Sequence, residues 1–142
     1  RHPVPDLRSL EGLVSQVRAT GLPVTYAVTG SLPEGTTASS GLQLTVYRLV
    51  QEALTNTMKH ARDVSSTEVS LRYRPKTLEV TIEDDGQAGP GAAPLDGRSR
   101  GILGMRERVA SFGGTLVSGP GAGGGWKVSA GFPLEAKTPT AQ

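Results

Sequence analysis

The longest periodic pattern in the sequence covers residues 42–61, and it constrains the fold more than any other segment. Its apolar residues recur with the spacing of one helix face; they are Leu42, Val46, Leu49, Val50, Ala53, Leu54 and Thr57. Glu52, Asn56, Lys59 and His60 share another face. The segment is therefore predicted to be a long helix with one apolar and one polar face.

The remaining patterns place strands mostly in hairpins, with helices between them. Shorter helical patterns cover residues 6–20 and 101–112, and strand patterns cover residues 24–29, 67–73, 77–83, 115–118 and 126–132. Nineteen glycines and ten prolines are too many for a plain helical bundle. A doubly wound fold would alternate strand and helix throughout. The order instead predicts an α+β fold, a two-layer sandwich with helices on one face of a mixed sheet.

The ends of the chain and one internal segment lack a core pattern. A length of 142 residues favours one domain, predicted at residues 6–134 between a linker at 1–5 and a flexible tail at 135–142. Residues 84–100 are rich in glycine and proline with almost no large apolar side chain, which predicts a mobile loop. Because the chain begins at Arg1, we expect it to be a piece of a longer protein.

Composition excludes several classes of site. The absence of cysteine excludes a disulfide scaffold, a thiolate zinc site and a cysteine nucleophile. The net charge is +2 and the charges are interspersed, so we predict no nucleic-acid surface. No apolar run approaches the roughly 18 residues of a membrane span, and we expect no signal peptide at the start of the chain.

The polar face of the long predicted helix carries the first chemical motif. Glu52, Asn56, Lys59 and His60 provide a carboxylate, an amide oxygen, a cation and an imidazole. Mg²⁺ prefers oxygen ligands and retains water and phosphate oxygens, and lysine supplies a point charge for phosphate. The set therefore suits a magnesium nucleotide. From spacing alone, a solvated amphipathic helix face is the favoured interpretation, because polar helix faces are common.

Three further motifs each have a functional and a structural interpretation. Asp84 ends a predicted strand and could accept a hydrogen bond from the amine of adenine, with Gly86 leaving space for a flat base; alternatively, the two belong to an ordinary turn. Gly101 and Gly104 open a helix whose N-terminus favours an anion, or they are a flexible helix start. Residues 123–126 approach a ligand or close a hairpin.

In their order and spacing, these motifs resemble the ATP-binding boxes of sensor histidine kinases. Residues 47–56, which read Tyr-Arg-Leu-Val-Gln-Glu-Ala-Leu-Thr-Asn, look with Lys59-His60-Ala61 like the N box. Asp84-Asp85-Gly86 looks like the G1 box, and residues 101–109, Gly-Ile-Leu-Gly-Met-Arg-Glu-Arg-Val, look like the G2 box. The runs Gln-Glu-Ala-Leu-Thr-Asn at residues 51–56 and Gly-Met-Arg-Glu-Arg at residues 104–108 are typical of the subfamily that includes nitrate sensors and bacterial thermosensors. The resemblance covers about residues 42–134 and implies the Bergerat (GHKL-type) ATP-binding sandwich.

The resemblance assigns roles in phosphate and metal binding to the long helix. Asn56 matches the residue that coordinates Mg²⁺ on the phosphates of ATP. Glu52 stands where the family places a residue that binds metal or polarises the attacking group. Lys59 and His60 match contacts on the phosphate and ribose side.

The resemblance also assigns residues to the base and to the phosphate turn. Asp84 matches the carboxylate that reads the adenine amine, and Gly86 gives the base room. Gly101 and Gly104 match glycines whose backbone meets the phosphates, and residues 87–100 match the ATP lid.

The implied reaction needs a partner that this chain does not contain. In the family, the γ-phosphoryl of ATP passes to a histidine on an upstream helical dimerisation domain, then to an aspartate on a response regulator. His2 lies in a predicted linker and His60 lies within the N box, so neither is a convincing acceptor. We therefore expect a monomeric, cytoplasmic domain that does not autophosphorylate alone. Its parent is expected to be a homodimer, with membrane anchoring left open.

Two alternatives differ in substrate or in class. Anti-sigma serine kinases share the Bergerat sandwich, but the run Gly-Met-Arg-Glu-Arg at residues 104–108 argues against them. The other alternative is a non-enzymatic interaction domain with a degenerate nucleotide pocket. The intact set of motif residues argues against it; these are Glu52, Asn56, Asp84, Gly86 and Gly101.

Overall fold

The computed structural model describes residues 4–88 and 96–137, which pack helices against one side of a mixed sheet. The helical elements are a 3₁₀ turn at Leu7–Ser9, α1 at Leu10–Ala19, α2 at Ser40–His60 and α3 at Asp96–Ala110. The main sheet contains β1 at Val24–Thr29, β4 at Thr67–Tyr73, β5 at Thr77–Asp84, β7 at Thr115–Pro120 and β8 at Trp126–Pro133. Short strands make two separate pairs: β2 at Thr36–Thr37 with β9 at Glu135–Ala136, and β3 at Ala61–Arg62 with β6 at Gln87–Ala88.

The five-stranded sheet has one apolar and one polar face. Its order is β1-β4-β5-β8-β7, with β1 parallel to β4 and the other neighbours antiparallel. Along β5, Leu78, Val80 and Ile82 are buried, whereas Glu79 and Thr81 between them are partly exposed. Successive strand residues point to opposite faces, so one face forms the core with the helices. The predicted α+β two-layer sandwich is confirmed.

Helix α2 is the central element of the helical layer. The side chain of Ser39 caps it by accepting a hydrogen bond from the Leu42 N–H at 3.1 Å. Every residue of the predicted apolar face is buried, and burying a side chain such as Leu49 stabilises the fold by about 1.5–3 kcal/mol. Among the described residues, no helix combines the length and apolarity needed to cross a membrane.

The predicted linker and tail are only partly described. Val4 and Pro5 belong to no helix or strand, and residues 1–3 lie outside the described residues. The tail prediction is wrong for residues 135–137, because β9 pairs with β2 and the Lys137 N–H donates to the Gly35 carbonyl at 2.7 Å. Main-chain N–H and C=O groups beyond the end of a strand still need hydrogen-bond partners. Residues 138–142 lie outside the described residues.

The predicted loop and lid over residues 87–100 has a different structure at each end. Residues 87–88 pair as β6 with β3, and residues 96–100 belong to α3, so the loop prediction is wrong there. Strand pairing uses main-chain groups, and each residue added to a helix adds one hydrogen bond. Neither requires the apolar side chains whose absence predicted a loop. Residues 89–95 lie outside the described residues, and lid mobility stays a prediction.

The turn between β7 and β8 confirms the hairpin interpretation of residues 123–126. The Gly121 N–H donates to the Gly125 carbonyl at 2.8 Å across this turn. A Cβ atom added to Gly125 would lie 1.8 Å from the Asp84 carbonyl oxygen, far inside contact distance. A Cβ atom added to Gly123 would meet no heavy atom within 4 Å. Of these two glycines, Gly125 is therefore the one that the close approach of this turn to the end of β5 requires.

Substituting Gly125→Ala should destabilise the domain, because main-chain atoms must move to admit the methyl group. We expect the free energy of unfolding to fall by about 1–3 kcal/mol, measured by urea denaturation. Gly123→Ala, two residues away, is the matched control and should change stability by less than about 0.5 kcal/mol. Equal denaturation midpoints for the two variants would contradict the packing described.

Candidate functional site

The carboxylate of Asp84 is the most constrained polar group at the end of the sheet. Asp84 ends β5 and is 3% exposed. The Thr57 hydroxyl of α2 donates to its Oδ2 atom at 3.0 Å, and the Gly86 N–H donates to its Oδ1 atom at 3.0 Å. Burying a charged carboxylate is costly unless donors compensate for lost hydration. These two hydrogen bonds hold both oxygens in place.

The strands on either side of Asp84 place two further polar groups in the same row. Thr67 of β4 and Trp126 of β8 are its direct cross-strand neighbours, and both are buried. The Thr67 hydroxyl has no hydrogen-bond partner among the described residues. Buried hydroxyls are ordinarily hydrogen-bonded, so this row differs from the apolar rows of the core. It marks the end of the sheet as a candidate binding site.

Asp85 has a separate, structural role beside Asp84. Its exposed carboxylate accepts hydrogen bonds from the Ser65 N–H at 2.9 Å, the Ser66 N–H at 3.0 Å and the Ser65 hydroxyl. The hydrogen bond from the Ser65 side chain, followed by those from the backbone, lowers the pKa of Asp85 below its ordinary value. Asp85 thus anchors the segment that follows α2.

Gly86 is required by packing against that segment. A Cβ atom there would lie 2.7 Å from Val64 Cγ2, 2.9 Å from Ala61 Cβ and 3.0 Å from the Arg62 carbonyl oxygen. The sequence predicted that Gly86 leaves room for a flat base. The described contacts explain the glycine by the closeness of residues 61–64, and a contact with a base stays a prediction.

The predicted polar-face residues of α2 are exposed to different degrees. Lys59 is exposed, and Glu52 and His60 are partly exposed, but Asn56 is buried at 7% exposure. The prediction that all four share one polar face is therefore wrong for Asn56. Four residues turn a helix by about 40° beyond a full turn, and this rotation carries Asn56 from Glu52 toward the apolar side. Lys59 is rotated about 20° the other way, toward solvent.

Helix α3 begins at Asp96, so the predicted start at Gly101 is wrong. Ile102 and Val109, seven residues apart on one helix face, are fully buried and anchor α3. Helical hydrogen bonds extend from this anchored part toward the N-terminus at one per residue. Gly101 and Gly104 consequently lie in the helix interior, where their N–H groups belong to the helical hydrogen-bond pattern. Their contact with phosphates stays a prediction.

The two glycines of α3 have different surroundings. A Cβ atom on Gly101 would lie 2.1 Å from Glu52 Oε2 and 2.5 Å from Glu52 Cδ. A Cβ atom on Gly104 would meet nothing within 4 Å. Glycine at 101 therefore lets the carboxylate of Glu52 lie against the backbone of α3, bringing two predicted site residues together.

The helical periodicity does not indicate the role of Thr57. Burial confirms its predicted place on the apolar face of α2, but its hydroxyl donates a hydrogen bond to Asp84. The sequence feature that points to this role is a hydroxyl residue on an otherwise aliphatic helix face, directly after Asn56. Thr67 is likewise a hydroxyl residue on the buried face of β4.

Oxygen donors for a metal are sparse in this region. Within residues 4–88 and 96–137, no three His, Asp or Glu side chains come together as a metal site. Mg²⁺ commonly binds through one or two protein ligands and completes its shell with water and phosphate oxygens. The Glu52 carboxylate and the Asn56 carboxamide, one turn apart on α2, are donors of the type it prefers.

Comparison with known proteins agrees with the motif resemblance. Residues 41–136 match the family described as histidine kinase-, DNA gyrase B-, and HSP90-like ATPase. The sensor histidine kinase YxjM of Bacillus subtilis is 35% identical over 129 residues, which are 90% of this chain and 30% of that protein.

Two solved structures share the fold over most of this chain. The blue-light activated histidine kinase of Erythrobacter litoralis EL346 superposes with a TM-score of 0.63 at 26% identity, covering 92% of this chain and 42% of that one. Full-length ShkA in complex with AMPPNP gives a TM-score of 0.66 at 19% identity, covering 94% of this chain and 30% of that one. The chain thus spans less than half the length of each of these relatives.

The contact between Glu52 and Gly101 predicts unequal effects of two alanine substitutions in α3. Gly104→Ala should raise the free energy of unfolding by about 0.5–1 kcal/mol, because alanine is the better helix former and the methyl group meets open space. Gly101→Ala has the same backbone benefit but must displace the Glu52 side chain, so it should stabilise less. Chemical denaturation measures both.

Glu52→Ala supplies the control for this pair. In the Glu52→Ala variant the Glu52 side chain no longer blocks a methyl group at residue 101. Gly101→Ala and Gly104→Ala should then stabilise the domain equally. Equal stabilisation while Glu52 is present would contradict the contact.

Proposed function

The chain belongs to the family of histidine kinase-, DNA gyrase B- and HSP90-like ATPases, and we propose that it binds ATP together with Mg²⁺ as the catalytic domain of a sensor histidine kinase. The observation that carries this proposal is the Asp84 carboxylate, buried at the end of β5 and fixed by Thr57 and Gly86. It lies within the matched residues, at the position that the G1 box assigns to the base.

We propose that Asp84 reads the base. An ionised carboxylate only accepts hydrogen bonds, so it favours a ligand with a donor, such as the exocyclic amine of adenine. A carbonyl in the same place would face the carboxylate oxygens without a proton between them. A site built on such a buried polar contact rejects the mismatched analogue strongly. This favours adenine over guanine.

Helix α2 is proposed to serve the phosphates and the metal. Asn56 would hold Mg²⁺ through its carboxamide oxygen, and Lys59 and His60 would lie toward the phosphates and the ribose. Bound Mg²⁺ would neutralise charge on the phosphate oxygens. Gly101 and Gly104 would lie on the phosphate side of the site. Their interior place in α3 means that α3 must open locally before their N–H groups reach a phosphate.

Glu52 is proposed as the residue nearest the chemistry. Its carboxylate lies against α3 at Gly101 and is partly exposed, so it can orient and polarise the imidazole of an incoming histidine. The imidazole nitrogen forms a bond to the γ-phosphorus as the bond from that phosphorus to the β–γ bridging oxygen breaks. ADP leaves with that oxygen. Positioning and electrostatic stabilisation supply most of the catalysis in such transfers.

The phosphoryl acceptor is proposed to lie on another domain of the same protein. The relatives extend well beyond the matched segment, and the two histidines of this chain lie at residue 2 and inside the N box. We propose a histidine on an upstream helical domain, from which the phosphoryl passes to an aspartate of a response regulator. The parent would dimerise through that domain. The separate catalytic domain would be a monomer that does not phosphorylate itself.

Replacing Asn56 by alanine tests the proposed metal site. Asn56→Ala should weaken ATP binding in the presence of Mg²⁺ by about tenfold or more, equivalent to about 1.4 kcal/mol. The affinity for ATP after removal of Mg²⁺ by EDTA should stay the same. Calorimetry with and without Mg²⁺ measures this, and circular dichroism checks folding, since Asn56 is buried. Gln51→Ala removes an exposed amide from the same helix and should bind as the unsubstituted chain does. An Asn56→Ala variant that retains full Mg-dependent affinity would exclude this metal ligand.

Phosphoryl transfer to a separate acceptor domain tests the proposed reaction. With radiolabelled Mg-ATP, the 142-residue chain alone should remain unlabelled, and the upstream helical segment of the parent should become labelled when it is added. The label should be lost in acid, because phosphohistidine is acid-labile, whereas phosphoserine is not. An acid-stable label would indicate a serine kinase. Failure to bind Mg-ATP would instead favour an interaction domain.

A further inference from the structure

Thr57 makes an unusual hydrogen bond for a threonine inside a helix. A helical threonine commonly donates its hydroxyl to a carbonyl of the preceding turn. Thr45, buried on the same helix, does so, with its hydroxyl 2.9 Å from the Gly41 carbonyl oxygen. The Thr57 hydroxyl instead reaches the other layer of the domain and donates to Asp84 Oδ2 at 3.0 Å. Local helix structure does not require Asp84 as the hydrogen-bond partner of this hydroxyl.

This hydrogen bond controls the orientation of the Asp84 carboxylate. The Gly86 N–H holds Oδ1, and the Thr57 hydroxyl holds Oδ2 from the helical layer. Two donors on different oxygens fix the plane of the carboxylate. Loss of the Thr57 hydroxyl removes the donor that directs Oδ2 from the helical layer, so the direction in which Oδ2 accepts a hydrogen bond is less restricted.

We infer that Thr57 is a positioning residue that sets the base selectivity of the proposed nucleotide site. The inference rests on the proposed function, because it concerns the carboxylate proposed to read the base. Thr57 acts through Asp84. A fixed acceptor distinguishes a ligand amine from a ligand carbonyl, whereas a carboxylate free to turn away tolerates either. Loss of Thr57 should therefore reduce discrimination between bases more than it reduces nucleotide binding in general.

The test compares ATP with inosine triphosphate, which has a carbonyl in place of the adenine amine. The affinities for ATP and for inosine triphosphate, both in the presence of Mg²⁺, are measured for the 142-residue chain and for three variants: Thr57→Val, Thr57→Ser and Thr45→Val. We expect the unsubstituted chain to prefer ATP by about tenfold or more. Thr57→Val should weaken ATP binding about fivefold and change inosine triphosphate binding less than about twofold. Thr57→Ser keeps the hydroxyl and should keep the preference.

Thr45→Val is the matched control, because it removes an equally buried hydroxyl from the same helix. It should leave both affinities unchanged. If Thr57→Val weakens both nucleotides equally, or leaves the ATP preference intact, the inference is overturned and the proposed function stands. If the unsubstituted chain binds no Mg-ATP, both are overturned. If Thr57→Val does not fold, Thr57→Ala is compared with Thr57→Ser instead. The deciding quantity is again the ratio of the affinities for ATP and inosine triphosphate.

Discussion

The hydrogen bond from the Thr57 hydroxyl to Asp84 joins the helical layer to the sheet inside the core, and the candidate site depends on it. A carboxylate this deeply buried persists only when donors replace its lost hydration. Thr57 can supply one only if α2 keeps a fixed rotation over β5. The aliphatic side chains of both elements hold α2 there in one continuous core. Apolar packing thus determines where the polar groups of the site stand.

Glycines in this domain serve packing needs that their sequence pattern does not distinguish. Gly86 admits residues 61–64, Gly101 admits the carboxylate of Glu52, and Gly125 admits the carbonyl of Asp84. Gly104 faces open space although it belongs to the same motif as Gly101. A glycine in a sequence indicates conformational freedom, but the atom opposite it is determined only by tertiary packing. The motif pattern therefore does not report which packing contact requires each glycine.

Sequence periodicity predicted the elements whose side chains meet the core, and it failed where the main chain alone decides. The strands at residues 24–29 and 67–73 have the predicted bounds; buried and more exposed residues alternate along residues 67–73, whereas the last three residues of β1 are all exposed. The pairs β2–β9 and β3–β6 leave no such pattern. The four-residue spacing predicts that Asn56 shares the polar face with Glu52, but Asn56 is buried, because four residues also rotate the side chain by about 40° toward the apolar side. The contact between Thr57 and Asp84 spans 27 residues, which no local pattern reports.

The adjacent carboxylates of Asp84 and Asp85 show how one strand end supports both the fold and the proposed site. Consecutive residues of an extended chain point in opposite directions. Asp84 therefore meets Thr57 in the core, while Asp85 meets Ser65 and the Ser66 main chain at the surface. By anchoring these serines, Asp85 holds in place the preceding residues 61–64, which pack against Gly86. Gly86 in turn donates to Asp84. The exposed carboxylate thus stabilises the surroundings of the buried one, and a one-residue shift in register would abolish both roles.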